Sequence, residues 1–212
     1  MTGPFVKNVA TSAADAAKIV PRAEFRVFGS GVIDIVRKKI WDAGATLQKA
    51  RRMPAETYFL SRRSSAVNVK VRDGLLDIKL KTGETPEGYE IFQPAGKFQF
   101  PLQQADLAVI LKHLQVDAAP GKGSCTFDEF LAMARAHPDL VPVTIEKMRY
   151  GFTVDGVICE YAQVWLNGAL LETACCESEN HAGMKKVSEM LGIAGMPNTS
   201  YINAAKHVVG LT

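Results

Sequence analysis

A decisive excess of either charge is missing from this chain. Lysine and arginine number 25 against 22 aspartates and glutamates in 212 residues, a formal net charge of +3. A dedicated nucleic-acid binder would carry bases in clear excess, so no nucleic-acid partner is expected. Long apolar runs are missing too. None approaches the ~20 residues that cross a bilayer as a helix, so no membrane partner is expected. The opening MTGPFVKNVATSAADAAKIVP has no strong apolar stretch and carries Asp15, unlike a signal peptide. Cysteine is scarce: Cys125, Cys159, Cys175 and Cys176 form no CxxC pair, and their spacing to the four scattered histidines fits no zinc pattern. They read as reduced thiols, which points to a cytoplasmic protein. What is present is a globular composition, 47% hydrophobic and 22% charged, unlike that of a disordered chain. The length suits one ordinary domain or two small ones and can bury a core without staples.

Residues 1–20 are rich in Ala, Ser and Thr with little periodicity and read as a lead-in. Residues 21–212 read as a single domain. The strand signal dominates it. Asp73-Gly74, Asp155-Gly156 and Asn167-Gly168 each separate two β-like runs, and such pairs suit the tight hairpin turn that needs positive φ at both central positions. Strands are thus expected over about 66–72, 75–81, 143–154, 157–166 and 169–179, the last three a continuous meander, with two more near 22–28 and 88–100. Helices are expected over Ile33–Gly44, Pro101–Gln115, Ala182–Leu191 and Ser200–Val209. Thr126 with Glu129 forms a capping box before one more. The basic pairs Arg51-Arg52 and Arg62-Arg63 fall in an expected loop region, as solvated surface or as lures for anions at a mouth.

Two-residue turns set strand register, and register decides which side chains share a face. Lys70, Arg72, Asp77, Lys79 and Lys81 fall together on the first hairpin. On the meander, Lys147, Arg149, Glu160, Glu177 and Glu179 do the same. Val69, Val71, Ile78, Leu80, Met148, Tyr150, Phe152, Tyr161 and Trp165 take the opposite face. A half-buried sheet with its charges in water produces the same alternation. Two details pull the other way. Like charges recur in pairs, Lys79 with Lys81, Lys147 with Arg149 and Glu177 with Glu179, which a solvated face gains nothing from segregating. A sheet of this many strands can also close into a barrel with a wet, charged interior. Converging Lys and Arg suit a polyphosphate, and neighbouring carboxylates suit Mg²⁺, which keeps phosphate oxygens and waters as its other ligands. Positioning and charge neutralisation are most of what phosphoryl transfer requires.

The order of these elements resembles the CYTH superfamily, the triphosphate tunnel metalloenzymes, over roughly residues 22–209. AVNVKVRDGLLDIKLK is similar to that family's basic hairpin, TIEKMRYGF to its later basic strand, ICEYAQV to its acidic strand and ETACCESE to its ExE strand, with MKKVSEMLGI and SYINAAKHV as closing helices. The resemblance implies an α+β fold, an antiparallel eight-stranded closed tunnel or barrel with helices packed outside. It implies a triphosphatase-type phosphohydrolase that takes a triphosphate-containing small molecule: inorganic triphosphate, thiamine triphosphate or a nucleotide. Lys70, Arg72, Lys79, Lys81, Lys147 and Arg149 would hold the phosphates. Glu160, Glu177, Glu179 and Glu24 would hold the cofactor, Mg²⁺ or Mn²⁺. A homodimer is compatible with this reading.

The first strand, VPRAEFRVFG, departs from the family's ExExK. Aligned one way it keeps Glu24 but has Arg26 and Phe28 where the second Glu and the Lys belong. Aligned the other way Glu24 stands at the Lys, and neither leading acid survives. The alternative function is therefore a non-catalytic polyphosphate- or nucleotide-binding protein with an eroded metal site. Gly29-Ser30-Gly31 before a helix reads as a plain turn sooner than a phosphate cradle. His181 is the histidine closest to the ExE strand. Glu90 lies in a strand whose register the sequence leaves open.

Overall fold

The computed structural model describes residues 21–42, 45, 47–117 and 123–211. The lead-in over residues 1–20 and the helix-stopping Gly44 lie outside these described residues. Eight strands form one closed antiparallel barrel in the order β1-β5-β4-β3-β2-β6-β7-β8. They are β1 (Ala23–Phe28), β2 (Leu47–Ser61), β3 (Val67–Arg72), β4 (Leu75–Glu84), β5 (Glu90–Gln99), β6 (Leu140–Val154), β7 (Val157–Leu166) and β8 (Ala169–Ser178). Five helices are described: α1 (Val32–Asp42), α2 (Gln104–Leu114), α3 (Phe127–Ala136), α4 (His181–Met190) and α5 (Tyr201–Val208). None of them is long and apolar enough to cross a membrane. All four cysteines are free.

The three dipeptide turns fold as their chemistry requires. Asp73, Asp155 and Asn167 take φ of 51°, 48° and 48°, and the glycines after them 75°, 78° and 85°. Both central positions are left-handed, as a type I′ turn demands. The Thr126–Glu129 capping box at α3 is formed in both directions.

The strand the sequence hides is β2. Its LQKARRMPAETYFLS reads as loop because it lacks strict alternation and carries Pro54 mid-strand. A proline is tolerated where the ladder is irregular, and here it sits in a register shift between Met53 and Glu56. Against β6, Arg51 pairs with Arg149 and Met53 with Lys147, but Glu56 pairs with Ile145 and Tyr58 with Val143. The extra residue turns the inward set from odd to even positions. That shift aims Glu56 into the barrel. Arg52 points the opposite way and meets Glu146 at 3.5 Å.

Alternation divides the apolar side chains into three clusters. Two lie on the outer wall. α1 and α4 cover Phe25, Val27, Phe152, Val157 and Tyr161. α2 and α3 cover Phe59, Val69, Val71, Leu76 and Ile78. The third lies on the inward face. There α5 packs Tyr201, Ile202 and Ala205 against Tyr58, Val143, Ile145, Val164 and Leu166. These strand residues share a face with Lys147 and Glu160, so α5 closes one end of the lumen with an apolar layer. Lys206 anchors it: its Nζ donates to Ser64 O and Ser65 Oγ, both at 2.9 Å.

Candidate functional site

Beyond the apolar layer the lumen is charged. A cavity of about 170 Å³ is lined by Lys70, Arg72, Lys79, Lys147 and Arg149, with Glu24, Arg26, Glu160 and Glu177. At about 30 Å³ per water, that is room for a small anionic group and not for a folded partner. Five of the six expected phosphate-binding residues therefore meet in one place. Lys81 does not: its ammonium is taken by Glu84 and by Glu90, the latter at 3.0 Å. Of the four expected metal ligands, Glu24, Glu160 and Glu177 line the cavity. Glu179 does not. It is half-exposed and 3.9 Å from Arg22.

The basic side is organised by Glu56, which sequence reasoning missed together with its strand. It is 1% exposed. Its carboxylate accepts from Lys147 at 2.7 Å, from Lys70 at 3.3 Å and from Arg72 at 3.4 Å. Burial works to raise the Glu56 carboxyl, but Lys147, Lys70 and Arg72 outweigh it and hold it at about 2. The converse does not hold for the cations. Burial pushes the Lys147 ammonium down to about 8, with Lys70 and Arg26 adding to the effect against Glu56. Lys70 is lowered for the same reasons, burial first. One carboxylate shared among three cations satisfies itself and leaves Lys70 and Lys147 under-neutralised, while Arg72 also reaches Asp77 at 3.7 Å. Of the six cations that line this cavity, Lys79 is the one with no ion-pair partner among the described residues. Lys147 also lies 4.2 Å from the centre of the Tyr201 ring and 5.4 Å from that of Tyr58, contacts that favour a desolvated cation.

The acidic side is organised by Arg26. Strand β8 runs between β1 and β7, and both Arg26 and Glu160 stand opposite Cys175. They meet across it. The Arg26 guanidinium donates through Nε to Glu24 at 2.6 Å, through Nη1 to Glu160 at 3.5 Å and Thr173 at 3.4 Å, and through Nη2 to Cys175 Sγ at 3.0 Å. Its Cζ lies 4.4 Å from the Tyr201 ring centre. Arg149 binds the second oxygen of Glu160. Burial raises Glu24, but Arg26 overrides it and the carboxyl lies below its ordinary value. Glu177, directly opposite Glu24, goes the other way: burial and then Glu24 raise it, with Lys79 opposing. Among the described residues it is the one lumen carboxylate without an ion-pair partner, and no three of His, Cys, Asp and Glu converge as a metal-ligating set. Two of the four expected metal ligands are held by Arg26 and one lies outside the cavity. The donor set does not fit a resident divalent ion.

Two buried polar atoms beside the cavity, the Tyr201 hydroxyl and Asn68 Oδ1, have no hydrogen-bond partner among the described residues. Past Arg149 the basic face continues. Lys49, Arg51 and Gly151 line a second cavity of about 180 Å³ that shares Arg149 and Glu160 with the first. The Gly29-Ser30-Gly31 turn is not an anion cradle, because the α1 amide of Ile33 already donates to the Glu172 carboxylate at 3.2 Å. Glu90 is nearly buried and is held by Lys81. Arg62 and Arg63 are tied to the chain around Pro138 and Asp139. His181 begins α4, away from the residues that line the lumen.

No protein-family model matches this chain, and no curated protein matches it. Its fold is similar to several solved structures. A Bacillus halodurans protein provisionally named an adenylate cyclase is 14% identical with a TM-score of 0.46, covering 86% of this chain and 96% of that one. A Pyrococcus horikoshii protein is 17% identical with a TM-score of 0.48, covering 85% and 97%. A Hippeastrum protein, provisionally named an adenylyl cyclase and described as having a dominant triphosphatase activity, is 12% identical with a TM-score of 0.49, covering 90% and 95%. At these identities and scores the likeness carries neither an activity nor site residues to this chain.

Proposed function

We propose that this protein binds a triphosphate-bearing small molecule (inorganic triphosphate, thiamine triphosphate or a nucleotide) with its phosphates in the charged half of the barrel. The observation that carries this reading is the surplus of cations around Glu56. Lys70, Arg72 and Lys147 share the Glu56 carboxylate, Arg72 has a second and longer contact with Asp77 at 3.7 Å, and among the described residues Lys79 has no carboxylate. An enclosed, under-neutralised cation cluster favours an anion with several negative oxygens at short spacing, because desolvated charges attract more strongly than solvated ones. Arg72 and Arg149 supply planar forks for bidentate contact, and Lys70, Lys79 and Lys147 supply point charges.

Calorimetric titration with tripolyphosphate tests the proposal. Binding is expected, and Lys79→Ala is expected to weaken it by roughly ten- to a hundredfold, the scale of one lost charge-assisted hydrogen bond. Unchanged affinity in Lys79→Ala and Arg72→Ala together would remove the cluster from the site. Hydrolysis of the bound triphosphate is the second reading. It is favoured by Glu177, which lies in the lumen without an ion-pair partner. Phosphate release that is lost in Glu177→Ala would establish it, and binding without release leaves the protein a binder.

A further inference from the structure

Given that the lumen holds a phosphate chain, we infer that it does so without a divalent cation, the Arg26 guanidinium holding the position among the carboxylates that a metal ion would otherwise take. This rests on the proposed function above and extends it to the form of the ligand that is recognised.

The donor set carries the inference. The acids that face the lumen opposite the basic cluster are Glu24, Glu160 and Glu177. Two of them are already bound to one guanidinium, Glu24 at 2.6 Å and Glu160 at 3.5 Å. That guanidinium is 5% exposed as a residue. It is fixed on its remaining sides by Thr173, Cys175 and the face of Tyr201. An arginine in such a setting does not give up its proton. A divalent ion approaching Glu24 or Glu160 would therefore meet a permanent positive charge that cannot withdraw. Glu160 is further neutralised by Arg149. Glu177 is left as a single carboxylate with its affinity for a proton raised by burial and by Glu24. Magnesium held by a protein uses one or two ionised carboxylates, and here Glu24 and Glu160 are taken by guanidinium groups while the remaining one, Glu177, is shifted toward its protonated form.

The same charges state which ligand species fits. Six cations and three carboxylates line the cavity, with Glu56 and Asp77 paired to its basic side, so the lumen keeps a net positive charge and attracts the fully charged anion. A magnesium complex of the same phosphate chain has two of those charges cancelled, and it brings a cation toward Arg26. The metal-free anion is the preferred species.

Calorimetry with tripolyphosphate in EDTA, repeated with Mg²⁺ in excess of ligand, decides the matter. Binding in EDTA is expected, with affinity several-fold weaker when Mg²⁺ is in excess. Binding that requires Mg²⁺ would overturn this inference and leave the proposed function standing. Absence of binding under both conditions would overturn both. Mn²⁺ paramagnetic resonance on the protein alone supplies an independent readout. Free Mn²⁺ is expected to keep its full signal in the wild type and to lose part of it in Arg26→Gln, where Glu24 is released opposite the already unpaired Glu177 and Glu160 keeps Arg149 alone. Loss of signal in the wild type counts against the inference. Should Arg26→Gln fail to fold, the two wild-type measurements still settle it.

Discussion

Glu56 Oε2 accepts a hydrogen bond from Lys147 Nζ at 2.7 Å across 91 residues of sequence, and both side chains are nearly free of solvent. This pair joins β2 to β6 inside the barrel and is the pivot of the cation cluster. Removing one partner of a buried pair leaves the other charge uncompensated, at a cost of about 3–5 kcal/mol. Glu56→Gln is expected to lose stability on that scale in urea denaturation. Tripolyphosphate should restore more stability to this variant than to the wild type, since it supplies the missing negative charge to the native state alone. A loss below about 1 kcal/mol would show that the pair does not hold the strands.

Acid titration follows from the same carboxyl. Glu56 is held at about 2 in the folded protein, below its unfolded value of about 4.3. A depressed carboxyl contributes stability that is complete above the unfolded value and is lost as pH falls through the folded one. Stability is therefore expected to drop between about pH 4.3 and pH 2, and Glu56→Gln should flatten that limb. An unaltered acid limb in the variant would assign it to other groups.

At the alkaline end the slope has the same sign, because Lys147 too is depressed by folding. Lys147 titrates at about 8 in the folded protein and near 10.4 when unfolded. Between those values the unfolded chain binds the extra proton, so stability from this group rises with pH. Ligand affinity moves the other way, because a phosphate chain binds the charged ammonium. Tripolyphosphate binding is expected to weaken as pH rises through about 8 and to take up a proton there. Calorimetry in buffers of different ionisation heat measures that uptake, and Lys147→Met should abolish it.

Tyr201 carries a buried hydroxyl without a partner among the described residues, beside two cations that use its ring. Tyr201→Phe keeps the ring and deletes the orphaned group. Thermal stability without ligand is expected to hold or rise, because an unsatisfied buried polar atom costs about 1–3 kcal/mol. A drop in melting temperature would mean that the hydroxyl is satisfied in solution.

Lys81 and Glu179 serve as controls that separate lumen from rim. Each is engaged outside the cavity, Lys81 by Glu84 and Glu90 and Glu179 beside Arg22. Lys81→Ala and Glu179→Ala are expected to change tripolyphosphate affinity by no more than about twofold, the usual reach of peripheral substitutions. A tenfold loss in either would extend the site to the strand ends.

The hairpins were legible because their turns are local. Asp-Gly and Asn-Gly at the tips state the register, and alternation then places Lys70, Arg72, Lys147, Arg149 and Glu160 on one face without any knowledge of distant contacts. Lys81 and Glu179 obey the same alternation and still fall outside the cavity, because alternation gives a face and not a depth. At the strand ends other partners claim their charges. β2 was illegible for a different reason. Its inward set changes parity at the bulge before Glu56, so neither half is long enough to show a period, and Arg51-Arg52 with Pro54 imitates a loop.

The α+β class, the tight turns, the capping box and the side on which the charges gather are properties of neighbouring residues, and the amino-acid sequence by itself determined them. Closure of the barrel decided the rest. It brought Glu56 under three cations from β3 and β6, set Arg26 between Glu24 and Glu160 over Cys175, and capped the apolar end with α5. Those relationships join residues far apart in the chain, and their chemistry exists only once the lumen excludes water and makes each charge answer to the ones it faces.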